Sequence, residues 1–131
     1  MKKTGHSLQS PLGKVRGYGS AKTGVAQWLD LRLVAVALIP LTLYVVISFT
    51  NSLSGGYSAM LAWVQSPVSA TVVILTLLAG FRHGAAGLKE VIEDYVHLEC
   101  AKIGTIFVVN FIAVALTILG TLSVAKIFFG V

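Results

Sequence analysis

Leu33-Val-Ala-Val-Ala-Leu-Ile-Pro-Leu-Thr-Leu-Tyr-Val-Val-Ile-Ser-Phe-Thr50 is the stretch that decides the fold. It holds no charged residue, and the uncharged run continues to Phe81; a second such run covers residues 103–125. A helix needs roughly 20 apolar residues to cross a hydrocarbon core of about 30 Å. The first run has room for two crossings and a short connection, the second for one. Backbone N–H and C=O groups cannot stay unpaired in lipid, and strand-like alternation is absent, so these runs are read as helices. The expected spans are 31–50, 66–88 and 103–125, in an all-α membrane protein with three transmembrane helices. Pro40 falls inside the first span, where it is expected to kink the helix. Asn51-Ser-Leu-Ser-Gly-Gly56 is a polar break after it. Ser66-Pro67 suits the start of the second span, with Ser as cap and Pro at the first helical position.

Outward from these runs, composition agrees. The chain of 131 residues is 56% hydrophobic and 11% charged, with a mean hydropathy of +0.85, too little polar surface for a soluble domain of this size. Basic residues are unevenly placed. Lys2, Lys3, Lys14, Arg16 and Lys22 precede the first span, Arg32 stands at its edge, and Arg82, Lys89 and Lys102 surround the second connection. The first connection carries none. The positive-inside rule then puts the N-terminus and the second connection in the cytoplasm and the C-terminus on the periplasmic side. The net charge of +5 is thus a matter of topology rather than nucleic-acid binding. Residues 1–27 read as a basic cytoplasmic tail and 28–131 as the transmembrane domain. The tail shares the basic, acid-poor character of a transit peptide, but Pro11 and five Gly make a poor amphipathic helix, which favours a retained tail. The single Cys100 excludes a disulfide within the chain.

Chemistry concentrates in Gly80-Phe-Arg-His-Gly-Ala-Ala-Gly87 and the following Leu-Lys-Glu-Val-Ile-Glu-Asp-Tyr95. His83 is an ionisable group near the end of a span, a costly placement with a functional reading. Gly80, His83, Gly84 and Gly87 share one helical face, leaving a groove for a flat macrocycle, and an imidazole is a haem ligand. The alternative is a Gly-x-x-x-Gly packing motif with His83 in an interhelical hydrogen bond. Asp94 and Tyr95 lie about 16–18 Å further along a continuous helix. A tyrosine hydroxyl can donate to a quinone carbonyl, and a carboxylate can relay protons. Alternatively, Lys89, Glu90, Glu93, Asp94 and Glu99 form a solvated turn. Arg32 can pair with a ligand carboxylate, snorkel to lipid phosphates, or pair with Asp30. Trp28, Tyr18 and Trp63 read as interface anchors, and His97 as a surface or interface residue.

His83-x-x-x-Gly87 followed by Asp94-Tyr95 resembles the signature of the smaller hydrophobic anchor chain of the succinate:quinone oxidoreductase family, respiratory complex II. The Gly-Leu-Lys-Glu-Val-Ile-Glu-Asp-Tyr-Val-His run, the three-span topology and the chain length resemble it too. The resemblance implies that His83 ligates haem b, with Gly84 and Gly87 beside it, and that Asp94 and Tyr95 border a ubiquinone site. It implies that Arg32 meets a haem propionate; the family usually has a Thr two residues after this arginine, where Val34 stands here. It further implies haem shared with a second, cytochrome b-type anchor subunit, docking of an iron–sulfur subunit and a flavoprotein subunit, and no succinate oxidation by this chain. The tail Ser10-Pro-Leu-Gly-Lys-Val-Arg-Gly-Tyr-Gly-Ser-Ala-Lys22 is similar to bacterial members, which favours a bacterial cytoplasmic (inner) membrane over the mitochondrial inner membrane. Three rivals stand beside this: a fumarate reductase anchor using menaquinone, a small transporter subunit, and a bare structural anchor. The transporter reading lacks a carboxylate inside any span.

Overall fold

The computed structural model describes residues 10–16 and 24–130. The basic tail residues Lys2, Lys3 and Lys22, with Tyr18, lie outside them. A short helix, α1 (Pro11–Arg16), begins where the Ser10 Oγ accepts the Gly13 N–H at 3.0 Å, a side-chain cap. Four helices follow: α2 (Gly24–Leu53), α3 (Gly56–Gln65), α4 (Pro67–Tyr95) and α5 (Glu99–Phe129). α2, α4 and α5 are long and apolar enough to cross a membrane, so the chain is an all-helical membrane protein with three spanning helices. Each of the three is about 45 Å long at 1.5 Å per residue, and each extends past the expected span at both ends except α4, which begins at Pro67 rather than Ser66.

Three local features differ from expectation. The connection after α2 is largely helical. α2 runs on to Leu53, Gly56 takes the left-handed φ of +71° that a side chain resists, and α3 fills the remainder. Ser66 does occupy the cap position of α4, but its hydroxyl makes no capping bond. Its N–H instead donates to the carbonyls of Ala62 and Trp63, at 3.1 and 3.2 Å, which binds the end of α3 to the start of α4. The solvated turn after the second span is helical as well: Lys89, Glu90, Glu93 and Asp94 belong to the last turns of α4, and only residues 96–98 separate α4 from α5. Ion pairs Lys89–Glu93 (3.7 Å) and Lys102–Glu99 (3.2 Å) lie on either side of that link.

Several polar side chains within the spans are satisfied on their own helix, although the buried Thr121 hydroxyl has no partner among the described residues. Thr71, Thr76, Thr105 and Thr117 donate to the carbonyl four residues back, and so does the Asn110 amide. This is how a hydroxyl resides in lipid at low cost.

α4 is the middle element. α2 and α5 run antiparallel to it on either side, and both pack on α4 and not on each other. The contacts use small residues, as expected where lipid offers no hydrophobic drive between helices. Ser69, Ala70 and Ala85 of α4 are buried, with Ile92 and the Val124 of α5. Ser69, 2% exposed, shares a hydrogen bond of 3.2 Å with the Tyr44 hydroxyl of α2. On the other seam, a Cβ at Gly120 would lie 3.0 Å from Leu77 Cδ1, so the glycine sets how closely α5 approaches. α3 closes the far end, where Trp63 packs on Phe49 at 5.5 Å between ring centroids and the Gln65 amide donates to the Ile127 carbonyl at 3.4 Å.

Candidate functional site

The antiparallel order brings the start of α2, the end of α4 and the start of α5 to one end of the molecule. There the structure places every described acidic residue and Arg32, Arg82, Lys89 and Lys102; among the described residues of the long helices, Lys126 alone lies toward the other end.

Two residues that are adjacent in sequence part company here. At 100° per residue, Arg82 and His83 fall on either side of the line where α4 meets α2. Arg82 reaches back to α2 and donates to the Asp30 carboxylate. Asp30 is therefore committed to Arg82 and does not pair with Arg32, because two residues on one helix stand 200° apart. Arg32 instead projects to the His83 side, with its guanidinium carbon 4.0 Å above the Trp28 ring. A cation over an indole face at one helical turn's spacing is held in place without losing its charge or most of its N–H donors. Among the described residues Arg32 makes no ion pair.

On that side, Trp28, Arg32 and Ala35 of α2 face His83, Gly87 and Glu90 of α4 across a groove of about 300 Å³. His83 is exposed, with no hydrogen bond to another helix among the described residues. Open space lies where a Cβ at Gly87 would stand. The groove thus presents an imidazole, a guanidinium and a side-chain-free backbone strip together. A planar ligand with a metal to coordinate and an acid group to neutralise would find each requirement met by this chain's own residues.

The glycines do not form the single groove expected. Gly80 and Gly84 line a second, almost wholly apolar groove between α4 and α5, with Leu88, Val109, Ile112 and Leu116, again about 300 Å³. The four positions form two neighbouring i, i+4 rows on α4, and the exposed ridge between them separates the grooves. Gly84 is therefore next to His83 in sequence but lines a different groove.

Asp94 and Tyr95 end α4 and line neither groove. Eleven residues bring Asp94 back nearly to the direction of His83, about 16 Å further along the axis, while Tyr95 turns toward the α5 side. Tyr95 is 78% exposed, and its hydroxyl has no partner among the described residues. His97 lies just beyond and donates from Nδ1 to the Tyr95 carbonyl at 3.1 Å, closing the helix end. Sequence reasoning missed the Asp30–Arg82 pair; its signal was the lone Asp30 before the first uncharged run and the lone Arg82 after it.

A family model described as succinate dehydrogenase/fumarate reductase transmembrane subunit matches residues 6–120. The chain is similar to the succinate dehydrogenase hydrophobic membrane anchor subunit of Rickettsia bellii (strain RML369-C), 25% identical over 99 residues, covering 75% of this chain and 77% of that one. It is also similar to the protein of the same name from Rickettsia conorii (strain ATCC VR-613 / Malish 7), 22% identical over 92 residues, covering 70% and 73%. No solved structure matches significantly. With nearly the whole of its three-helix domain matched, the chain belongs to the succinate dehydrogenase/fumarate reductase transmembrane subunit family.

Proposed function

We propose that this chain is the hydrophobic anchor of a succinate dehydrogenase in a bacterial cytoplasmic membrane, that it shares a haem b with a cytochrome b-type anchor subunit, and that it forms part of the ubiquinone site. The observation that carries the reading is the meeting of Arg32, His83 and Gly87 in one groove, with Arg32 released from Asp30 by Arg82.

In this reading the N-terminus and the link at residues 96–98 face the cytoplasm and the C-terminus faces the periplasm, consistent with the basic residues of the His83 end. That end then meets the iron–sulfur and flavoprotein subunits, which oxidise succinate. His83 offers a ring nitrogen to the haem iron, Gly87 leaves room for the porphyrin edge, and Arg32 neutralises a propionate. Gly84, on the neighbouring groove, clears the ridge for the partner anchor. When bound, the haem would supply a one-electron redox centre held by these residues. Tyr95 hydrogen-bonds a quinone carbonyl from the end of α4, and Asp94, on the same terminal turn, supports proton delivery to the oxygen being reduced.

The test is to tag the chain, purify the assembly in mild detergent, and measure succinate-dependent ubiquinone reduction with a reduced-minus-oxidised haem spectrum. Activity together with a haem b band supports the reading. A haem band without succinate activity indicates another cytochrome b, and fumarate reduction with menaquinol at a higher rate indicates the reverse enzyme. An intact assembly with neither signal leaves a bare structural anchor.

A further inference from the structure

α4 and α5 end in different ways. α5 stops at Gly130, whose left-handed φ of +70° lets its N–H meet the carbonyls of Lys126 and Ile127, a common glycine stop. α4 has no such residue. Its cap, Val96, is extended at φ −96° and ψ 106° and donates to the Ile92 carbonyl, the last backbone bond of that helix. The carbonyls of residues 93–95 are left over, as at any helix end. A side chain takes the one on Tyr95: His97 Nδ1 lies 3.1 Å from it. A carbonyl oxygen only accepts, so Nδ1 carries the proton. Both a neutral imidazole of this tautomer and an imidazolium donate from Nδ1, and the bond does not depend on the charge of His97. Tyr95 has little else to hold it. It is 78% exposed, and His97 is the one side chain bonded to it among the described residues.

We infer that His97 is a positioning residue for quinone reduction, keeping the last turn of α4 wound so that the Tyr95 hydroxyl stays aimed at the substrate. The inference rests on the assignment of Tyr95 to the quinone site. Helix ends fray where nothing caps them. Without the His97 bond the peptide joining Tyr95 to Val96 is free to turn, and the hydroxyl, at the far end of the ring, moves most. Only part of the population then presents the donor correctly, which weakens apparent binding by that fraction. The effect is bounded by one net hydrogen bond, about 2–10-fold, and falls on KM more than on kcat.

The test uses the purified assembly and three substitutions. An Asn amide nitrogen stands where Nδ1 does, whereas a Gln amide nitrogen reaches only where Nε2 does. His97→Ala should raise KM for ubiquinone about 2–10-fold, with the haem spectrum and succinate oxidation by a soluble dye unchanged. His97→Asn should restore KM and keep the wild-type pH profile; His97→Gln should not restore it. In a Tyr95→Phe background His97→Ala should add nothing, because the hydroxyl it positions is gone. A wild-type KM in His97→Ala overturns the inference, as do equal rescue by Gln and a full additive loss in the Tyr95→Phe background. Failure of Asn to rescue also overturns it, and a shifted pH profile then makes His97 a proton carrier. Should His97→Ala not assemble, the comparison of Asn with Gln decides alone. If Tyr95→Phe itself has no effect, the quinone assignment of Tyr95 fails and takes this inference with it.

Discussion

The two open sides of α4 differ in how their charges are used. On the Arg82 side the cation is neutralised within the chain by Asp30, and the surface around the pair is a collar over an apolar cleft. On the His83 side the cation is parked over an indole and the imidazole makes no bond among the described residues. A charge that is paired internally serves the packing of α2 against α4. On the other side Arg32 makes no ion pair among the described residues, and in the proposed reading a ligand acid group supplies its counter-charge. At one helical level the fold thus separates a cation paired within the chain from one that is not, where proximity in sequence would have grouped them.

Substitutions can break that contrast. The largest effect is expected for His83→Ala, which should remove or loosen the haem while the complex still assembles; an unaltered haem spectrum would take His83 out of the site. Tyr95→Phe comes next. Deleting a hydroxyl that donates to a reacting carbonyl should slow quinone reduction by about 10²-fold at normal haem content and assembly, and unchanged turnover would remove Tyr95 from the quinone site. Gly120→Val probes packing away from both sides. The new side chain presses on Leu77 across the α4–α5 seam and should cost about 1–3 kcal/mol, read as a lower unfolding temperature of the detergent-solubilised complex. Smallest is Asp30→Asn. The pair it breaks is part-exposed, 61% and 45% for its two side chains, so the stability loss should be under about 1 kcal/mol. A charge-reversed pair, Asp30→Arg with Arg82→Asp, should restore it. If Asp30→Asn instead abolished haem binding, the division between the two sides would fail.

The three spans were legible because a charge-free run of such length has no other stable form in lipid. His83, Gly87, Asp94 and Tyr95 were singled out by type and spacing along one helix, a purely local property. What escaped was whatever depends on how two helices are rotated against each other. Asp30 and Arg82 are separated by 52 positions; helix geometry turns Asp30 away from Arg32, but nothing local names Arg82 as its partner. The division of Gly80 and Gly84 from His83 and Gly87 is set in the same way, by where α2 and α5 lie around α4. α3 was hidden for a different reason: Gly56–Gln65 is apolar but too short to span, and its helix is supported by Phe49, Ser66 and Ile127 rather than by its own pattern.

The link between α4 and α5 has a consequence for how the protein is made. With only residues 96–98 outside helical geometry, pairing these helices closes almost no loop, and so loses little chain entropy. The second half of the chain can therefore enter the bilayer as a preassembled hairpin. Its acidic and basic tip, with Glu93, Glu99, Lys89 and Lys102, then stays on the side from which insertion began, and the far ends of the two helices carry only one charge among the described residues, Lys126.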